Sequence, residues 1–118
     1  MRKKLSTEEK LSVVKSALGD RKAEDIEELD LRGRTIIADY FVVASGTSNV
    51  HIRSIADGVI EKMKKRGIRP DRIEGYQEAK WVLVDYGDVI VHVFAMEERS
   101  FYDIESLWRA TAQSLRSE

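Results

Sequence analysis

Two apolar runs separated by a short polar turn dominate the hydrophobic pattern of the chain. Residues 81–84 and 89–94 are rich in β-branched and aromatic side chains, and the segment 85–88 (DYGD) between them carries turn-forming residues. This pattern predicts two antiparallel strands joined by a tight hairpin. Neither run alternates cleanly between apolar and polar positions, so we expect both strands to be central and covered on both faces.

Helical periodicity marks three further segments. Ser6, followed three residues later by a glutamate, has the pattern of a capping box and predicts a helix that begins after it. A longer helix is predicted over 48–66 with Thr47 or Ser48 as its N-cap, and a third from Glu97 onward. We expect the third helix to extend through 110–115. The apolar positions that define these helices are Leu11, Val14, Ala17 and Leu18 in the first, Ile52, Ile55, Ala56, Val59, Ile60 and Met63 in the second, and Phe101, Ile104, Leu107 and Trp108 in the third.

Three more β-rich segments complete the pattern, at 26–31, 39–45 and 72–75. The carboxylates within 26–31 predict a strand near a sheet edge, where they can reach water. The order helix, strand, strand, helix, strand, strand, strand, helix predicts a crossover between two parallel strands, followed by an antiparallel hairpin. The predicted fold class is therefore α/β (α+β), with one domain over residues 1–118 and a mixed five-stranded sheet covered by helices.

Composition and charge narrow the function classes. The chain has no cysteine, which excludes disulfides and thiolate metal sites. The basic N-terminus lacks an apolar segment behind it, and no apolar run approaches the roughly 20 residues that span a bilayer, so we expect a cytoplasmic protein without a membrane partner. Twenty Lys and Arg against 21 Asp and Glu leave a net charge of −1. This balance favours a protein or small-molecule partner, with little direct nucleic-acid binding.

One candidate chemistry is metal-dependent nucleotidyl transfer. The turn containing Gly46 and Ser48 could hold an anion at a helix start, but it lacks the lysine of a P-loop, and capping explains it more simply. Metal binding would draw on Asp39, Asp85 and Asp88. Two carboxylates that hold a metal usually alternate on one strand. Asp85 and Asp88 instead flank a glycine turn, a position that aspartate also favours for conformational reasons. We keep this enzyme as the alternative hypothesis.

Aromatic and acidic residues at the rim of the hairpin indicate a contact surface instead. Trp81 opens its strand beside charged Lys80, and Tyr86 occupies the turn, as interface anchors do. A negative border, complementary to a basic partner, would come from Glu74, Glu78, Asp85 and Asp88. His92 lies inside an apolar strand, where a hydrogen-bonded core residue is more common than a catalyst.

Several segments resemble the Iojap family, also called ribosomal silencing factors. They are 22–26 (KAEDI), 39–48 (DYFVVASGTS), 54–57 (SIAD), 74–75 (EG), 81–94 (WVLVDYGDVIVHVF) and 99–108 (RSFYDIESLW). Their order and spacing agree with the family over about residues 8 to 108. The hairpin stretch is the most specific part of this resemblance.

The resemblance implies a translation-repressing binding protein, not an enzyme, with no cofactor or metal and a fold similar to nucleotidyltransferases. Such a protein binds the large ribosomal subunit through that subunit's fourteenth protein and sterically blocks joining of the small subunit, chiefly when nutrients are short. Its contact surface on this chain would comprise Trp81, Leu83, Asp85, Tyr86 and Asp88, bordered by Glu74 and Lys80 and supported by His92 and Asp39. The resemblance also implies a homodimer.

A large-subunit assembly factor is a further alternative. It would contact ribosomal RNA through the cationic end of the long helix, formed by Lys62, Lys64, Lys65 and Arg66. Cations in the last turn also suit the helix dipole, which is the simpler explanation of this cluster.

Overall fold

The computed structural model of the chain describes residues 5–109. Its elements, in chain order, are α1 (Thr7–Asp20), β1 (Glu24–Asp30), β2 (Tyr40–Gly46), α2 (Asn49–Lys65), β3 (Arg72–Glu74), β4 (Trp81–Asp85), β5 (Val89–Ala95) and α3 (Met96–Tyr102). The predicted order of helices and strands is confirmed. None of the helices in this part of the chain is long and apolar enough to cross a membrane.

The five strands form one mixed sheet in the order β1-β2-β5-β4-β3. β2 and β5 run parallel, and the other neighbours are antiparallel. The sheet therefore contains both the predicted crossover through α2 and the predicted β4–β5 hairpin. β1 lies at one edge with its glutamates exposed, as the carboxylate pattern predicted.

Helices α1 and α2 cover the first face of the sheet. Ser6 and Glu9 form the predicted capping box of α1, and Ser48 caps α2 by accepting from the backbone N–H of His51. The apolar sides of both helices pack on inward-facing strand residues to form the main core, which includes Val14, Leu18, Val42, Ile52, Ile55, Val59, Met63, Val82, Val84 and Val91. Burial of these side chains is the dominant stabilising contribution to the fold.

The second face of the sheet carries a smaller apolar cluster. Phe41, Val43, Ile90 and Phe94 are buried there, and the half-buried Trp81, Leu83, Ile104 and Trp108 pack against them. Helix α3 contacts β5 and β2 on this side. Helical segments thus lie on both sides of the sheet, as predicted.

The prediction of one continuous C-terminal helix is wrong. α3 ends at Tyr102, Asp103 adopts a left-handed conformation with φ of 45°, and helical backbone resumes at 104–109. The predicted stripe is split as a result. Phe101 and Leu107 are exposed, whereas Ile104 and Trp108 pack on the second face. The predicted extension through 110–115 lies outside the described residues.

The prediction that both hairpin strands are covered on both faces holds for β5 but not for β4. The burial of β4 alternates, with Val82 and Val84 buried and Trp81, Leu83 and Asp85 only partly so. The reason is its position in the sheet. Its outer neighbour β3 is a three-residue strand whose residues are all exposed, so the outer part of the second face stays accessible to water.

Candidate functional site

The accessible part of the second face is a surface of five residues, which we call the β3–β4 patch. β4 contributes Trp81, Leu83 and Asp85, whose side chains project to the same face because they alternate along one strand. β3 contributes Arg72 and Glu74, which pair with Asp85 and Leu83 in the antiparallel register. The strand register therefore places Glu74, Leu83, Asp85 and Trp81, four of the predicted contact residues, side by side.

Trp81 is held rigidly by its neighbours. Its indole stacks on Phe94 with ring centroids 4.7 Å apart, and its Nε1–H donates to His92 Nδ1 over 3.0 Å. Tyr102 of α3 also packs against the indole, with ring centroids 4.9 Å apart. An aromatic side chain that is fixed before binding loses little conformational entropy when a partner covers it.

His92 supports Trp81 from inside the sheet. It is only 4% exposed, and the Phe41 ring packs edge-on against it at 4.5 Å. Because the indole N–H of Trp81 can only donate, His92 Nδ1 must accept, and the neutral ring carries its proton on Nε2. Burial lowers the pKa of His92 to about 4, while the charge of Asp85 opposes this shift. The neutral form that Trp81 requires is therefore the stable one at neutral pH.

We expect the free energy of unfolding to fall by about 3 kcal/mol as pH drops from 6.5 to 4 through His92 alone. The unfolded chain binds a proton at this histidine near pH 6.5, whereas the folded chain resists it until about pH 4. The contribution of His92 to the free energy of unfolding is thus complete above pH 6.5 and is lost as the pH falls toward 4. Denaturant unfolding of the parent and of His92→Gln across this range measures the effect.

The matched control for this prediction is His51→Gln, which changes the chain's other histidine. His51 lies at the start of α2, away from the patch, between the backbone N–H of Thr47 and the carbonyl of Arg21. His92→Gln should flatten the pH slope more than His51→Gln does. A parent and a His92→Gln protein with the same slope would show that His92 does not resist protonation.

The charged side chains of the patch are linked through Arg72, which was not predicted as a site residue. Arg72 contacts Glu74 at 2.6 Å and Asp85 at 3.0 Å. Its hydrogen bond to Asp85 and the charge of Glu74 raise the pKa of Arg72 above its ordinary value. The predicted acidic border is therefore partly neutralised on this side. The alternation Arg72-Ile73-Glu74 was the available signal, because residues two apart on a strand share a face.

The loop between β3 and β4 positions Lys80 and the start of β4. Tyr76 donates its hydroxyl hydrogen to Asp57 of α2 at 3.0 Å, and Arg53 of α2 donates to the carbonyls of Tyr76 and Gln77. The backbone N–H of Ala95 donates to the Lys80 carbonyl over 2.8 Å. These bonds fix the loop at both ends, while the Lys80 side chain stays exposed at the border of the patch.

Tyr86 does not belong to the contact surface that we predicted. It is 5% exposed and packs in the main core on the opposite face of the sheet, and burial raises its pKa well above the ordinary value. Counting positions along the chain explains this, because residues 82, 84 and 86 share one face. The turn position suggested exposure, but α1 covers that side of the hairpin.

Asp88 also lies on the α1 side. Its carboxylate pairs with Lys10 at 2.8 Å and accepts from the Thr7 hydroxyl at 2.6 Å. Burial opposes ionisation, but these two donors outweigh it and lower the pKa of Asp88. Its carbonyl accepts from the backbone N–H of Asp39, which therefore supports the hairpin turn through its main chain. Asp88 anchors α1 to the turn and is not part of the patch.

The geometry does not favour the nucleotidyltransferase alternative. Asp85 is committed to Arg72 on the second face, whereas Asp88 is committed to Lys10 on the α1 side. Within residues 5–109, no three His, Asp or Glu side chains form a group that could hold a metal ion. Paired metal-binding carboxylates would have to converge on one point.

The Gly46 turn also has a structural explanation. A Cβ on Gly46 would lie 2.7 Å from Ile52 Cγ1 and 3.2 Å from the Ile52 backbone, so glycine allows the start of α2 to pack against β2. The backbone N–H of Thr47 donates to His51 Nδ1, and that of His51 donates to Ser48 Oγ. Ser48 thus satisfies the N–H of His51 in the first turn of α2, which is the capping role.

Comparison with known proteins identifies the family. A family model described as "Ribosomal silencing factor during starvation" matches residues 4–118. The chain belongs to this family. It is 44% identical over 98 residues to the ribosomal silencing factor RsfS of Bacillus subtilis, covering 83% of each chain. The resemblance first seen in the hairpin and its flanking motifs is thereby confirmed.

The chain is also similar to a protein with a mitochondrial name and to a protein whose structure has been solved. The chain is 31% identical over 101 residues to a mouse protein named "Mitochondrial assembly of ribosomal large subunit protein 1", covering 83% of this chain and 44% of that one. A crystal structure of a Chromobacterium violaceum protein superposes with a TM-score of 0.86 at 39% identity, covering 88% of this chain and 87% of the other. The fold seen here is thus shared by a solved structure.

Proposed function

We propose that this chain binds the large ribosomal subunit through the subunit's fourteenth protein and sterically blocks joining of the small subunit, chiefly under nutrient limitation. Membership of the ribosomal silencing factor family over nearly the whole chain supports the general role. The observation that carries the proposal for this chain is the β3–β4 patch. It presents a fixed tryptophan beside a half-buried leucine on a part of the sheet that the described residues leave accessible.

The patch has the anatomy of a protein-binding surface. Trp81 and Leu83 form an apolar centre, and Arg72, Glu74 and Asp85 form a charged border whose pairs can be exchanged for pairs with a partner. Lys80 stands at the start of β4 beside this border.

The free chain is proposed to be a homodimer, which sedimentation of the purified protein tests.

We expect Trp81→Ala and Leu83→Ala each to weaken binding to isolated large subunits, the former by about 2 kcal/mol, or roughly 30-fold in Kd. Both substitutions remove apolar area from the centre of the patch. Co-sedimentation with isolated large subunits measures the affinity, and light scattering on addition of small subunits measures whether joining is blocked. The parent should inhibit joining, and Trp81→Ala should have lost most of that effect.

Ile73→Ala is the matched control for these variants. Ile73 is an exposed apolar residue, but it pairs with Val84 and faces the opposite side of the sheet from the patch. Its variant should bind like the parent. If Trp81→Ala and Leu83→Ala remain folded and also bind like the parent, then the β3–β4 patch is not the contact surface. If the parent itself does not associate with large subunits, the proposed function is wrong.

A second candidate function, assembly of the large subunit, has one structural observation in its favour. Lys64, Lys65 and Arg66 at the end of α2 are exposed and make no ion pair among residues 5–109, whereas Lys62 is paired with Asp20. Free cations of this kind can contact ribosomal RNA. The mouse relative also carries large-subunit assembly in its name. Binding to large subunits that weakens steeply as the salt concentration rises would support this role, if the dependence on salt is smaller in Lys64→Gln/Lys65→Gln.

A further inference from the structure

A groove adjoins the β3–β4 patch and extends the site onto α3. It consists of two neighbouring depressions with volumes of about 240 Å³ and 410 Å³. The first is bounded by the β3–β4 loop and the start of β4, and the second by α3. Glu98 and Tyr102 line both, so the depressions are continuous. The groove was not predicted, because it brings together residues about 20 positions apart in the sequence.

Aromatic rings form the walls of this groove. The Trp81 and Tyr102 rings lie 4.9 Å apart at 46°, and Tyr102 meets Phe101 edge-on at 5.0 Å. Phe101 is 81% exposed and Tyr102 is 52% exposed, which is unusual for two adjacent large side chains in a short helix. Exposed aromatic faces carry negative electrostatic potential and attract cations.

Three carboxylates stand around these rings. Glu78, Glu97 and Glu98 line the groove, and Lys80 provides its one lining cation among the described residues, so the lining has a net negative charge. None of the three glutamates is paired with a cation in the part of the chain that the structure describes. Glu97 and Glu98 both stand in the first turn of α3.

We propose that this groove receives an arginine side chain of the partner protein. A planar guanidinium can stack on Trp81 or Tyr102 and donate two parallel hydrogen bonds to a carboxylate such as Glu98. An apolar side chain would bury the carboxylates without partners, and a phosphate would be repelled. A lysine matches the charge but does not stack. This inference rests on the proposed function, since it specifies the chemistry of the partner at the same site.

Two variants test whether the groove takes part in binding. Glu97→Gln/Glu98→Gln preserves side-chain size and removes the negative charge, and Tyr102→Leu removes an aromatic wall. Each is expected to weaken co-sedimentation with isolated large subunits about tenfold, with the double glutamine variant also showing a smaller dependence on salt. Glu24→Gln is the matched control, because this exposed carboxylate lies on β1 at the other edge of the sheet. It should bind like the parent.

The identity of the occupant is tested on the free protein by NMR titration. The probes are the amides of N-acetylarginine, N-acetyllysine and N-acetylcitrulline, the last being the uncharged counterpart of arginine. Arginine amide should shift the Trp81 indole N–H and the Glu98 and Tyr102 backbone signals more than lysine amide does, and citrulline amide should leave them unchanged. Equal shifts with arginine and citrulline, or larger ones with lysine, would overturn the assignment of arginine.

The outcomes separate this inference from the proposed function. If the parent binds large subunits and Trp81→Ala does not, while the groove variants bind like the parent, the function stands and the groove inference is wrong. If the double glutamine variant changes the oligomeric state and leaves subunit binding unchanged, the groove receives a second copy of the chain, and the inference is again wrong. Failure of the parent to bind large subunits would instead count against the proposed function.

Discussion

Arg99→Met is expected to lower the free energy of unfolding by about 3–5 kcal/mol. Arg99 of α3 holds Glu105 with two hydrogen bonds, of 2.8 and 3.0 Å, and donates a third to Ser45 Oγ at the end of β2. The side chains of the ion pair are only 13% and 12% exposed. Removing the guanidinium leaves a buried carboxylate without its cation, which costs far more than the loss of a surface pair. Denaturant unfolding followed by circular dichroism measures the change.

Arg109→Met is the matched control for this prediction. Arg109 pairs with Glu27 at 3.2 Å, but both side chains are about half exposed, so its loss should change stability by less than about 1 kcal/mol. The double variant Arg99→Met/Glu105→Met removes both buried charges and should recover much of the lost stability. If Arg99→Met costs no more than Arg109→Met, the buried pair does not hold the C-terminal segment to the sheet.

Gly75→Ala is expected to lower the free energy of unfolding by about 4 kcal/mol. Gly75 has a φ of +77°, and a Cβ there would lie 2.1 Å from the carbonyl oxygen of Trp81. An alanine must therefore push apart the β3–β4 loop and the first residue of β4. Because this displaces Trp81, the variant should also bind large subunits more weakly than the parent. Denaturant unfolding and co-sedimentation measure the two effects.

Gly33→Ala separates backbone strain from this steric overlap. Gly33 has a similar φ of +78°, but a Cβ there would meet nothing within 4 Å. Only the cost of the left-handed conformation remains, which is about 1–2 kcal/mol. The amount by which Gly75→Ala lowers the free energy of unfolding more than Gly33→Ala does thus measures how firmly the β3–β4 loop is held against β4. Equal losses in the two variants would mean that the loop opens at little cost.

Local signals predicted most of the fold correctly. The capping box at Ser6 and the cap at Ser48 act within one helical turn, so their chemistry can be seen in a few consecutive residues. The hairpin could be recognised for the same reason. The break at Asp103 could not, because it brings Glu105 onto Arg99, and Arg99 in turn contacts Ser45, which is 54 positions away in the chain.

The candidate site was predicted in part. Trp81, Leu83 and Asp85 lie together as expected, and His92 supports them through one hydrogen bond. Tyr86 was placed on the wrong face, although strand alternation groups it with Val82 and Val84. Arg72 and Tyr102 were missed as contributors. Arg72 reaches Asp85 and Tyr102 reaches Trp81, and both contacts join residues that are far apart in the chain.

The sequence by itself determined the family, the order of the strands and helices and the hairpin from which the site is built, because these depend on local patterns of side chains. Only the tertiary structure decided which hairpin residues reach solvent. α1 covers one face and takes Tyr86 and Asp88 into its contacts, whereas the short β3 leaves Trp81 and Leu83 accessible on the other. Exposure depends on which elements pack against a strand, and no local pattern specifies that.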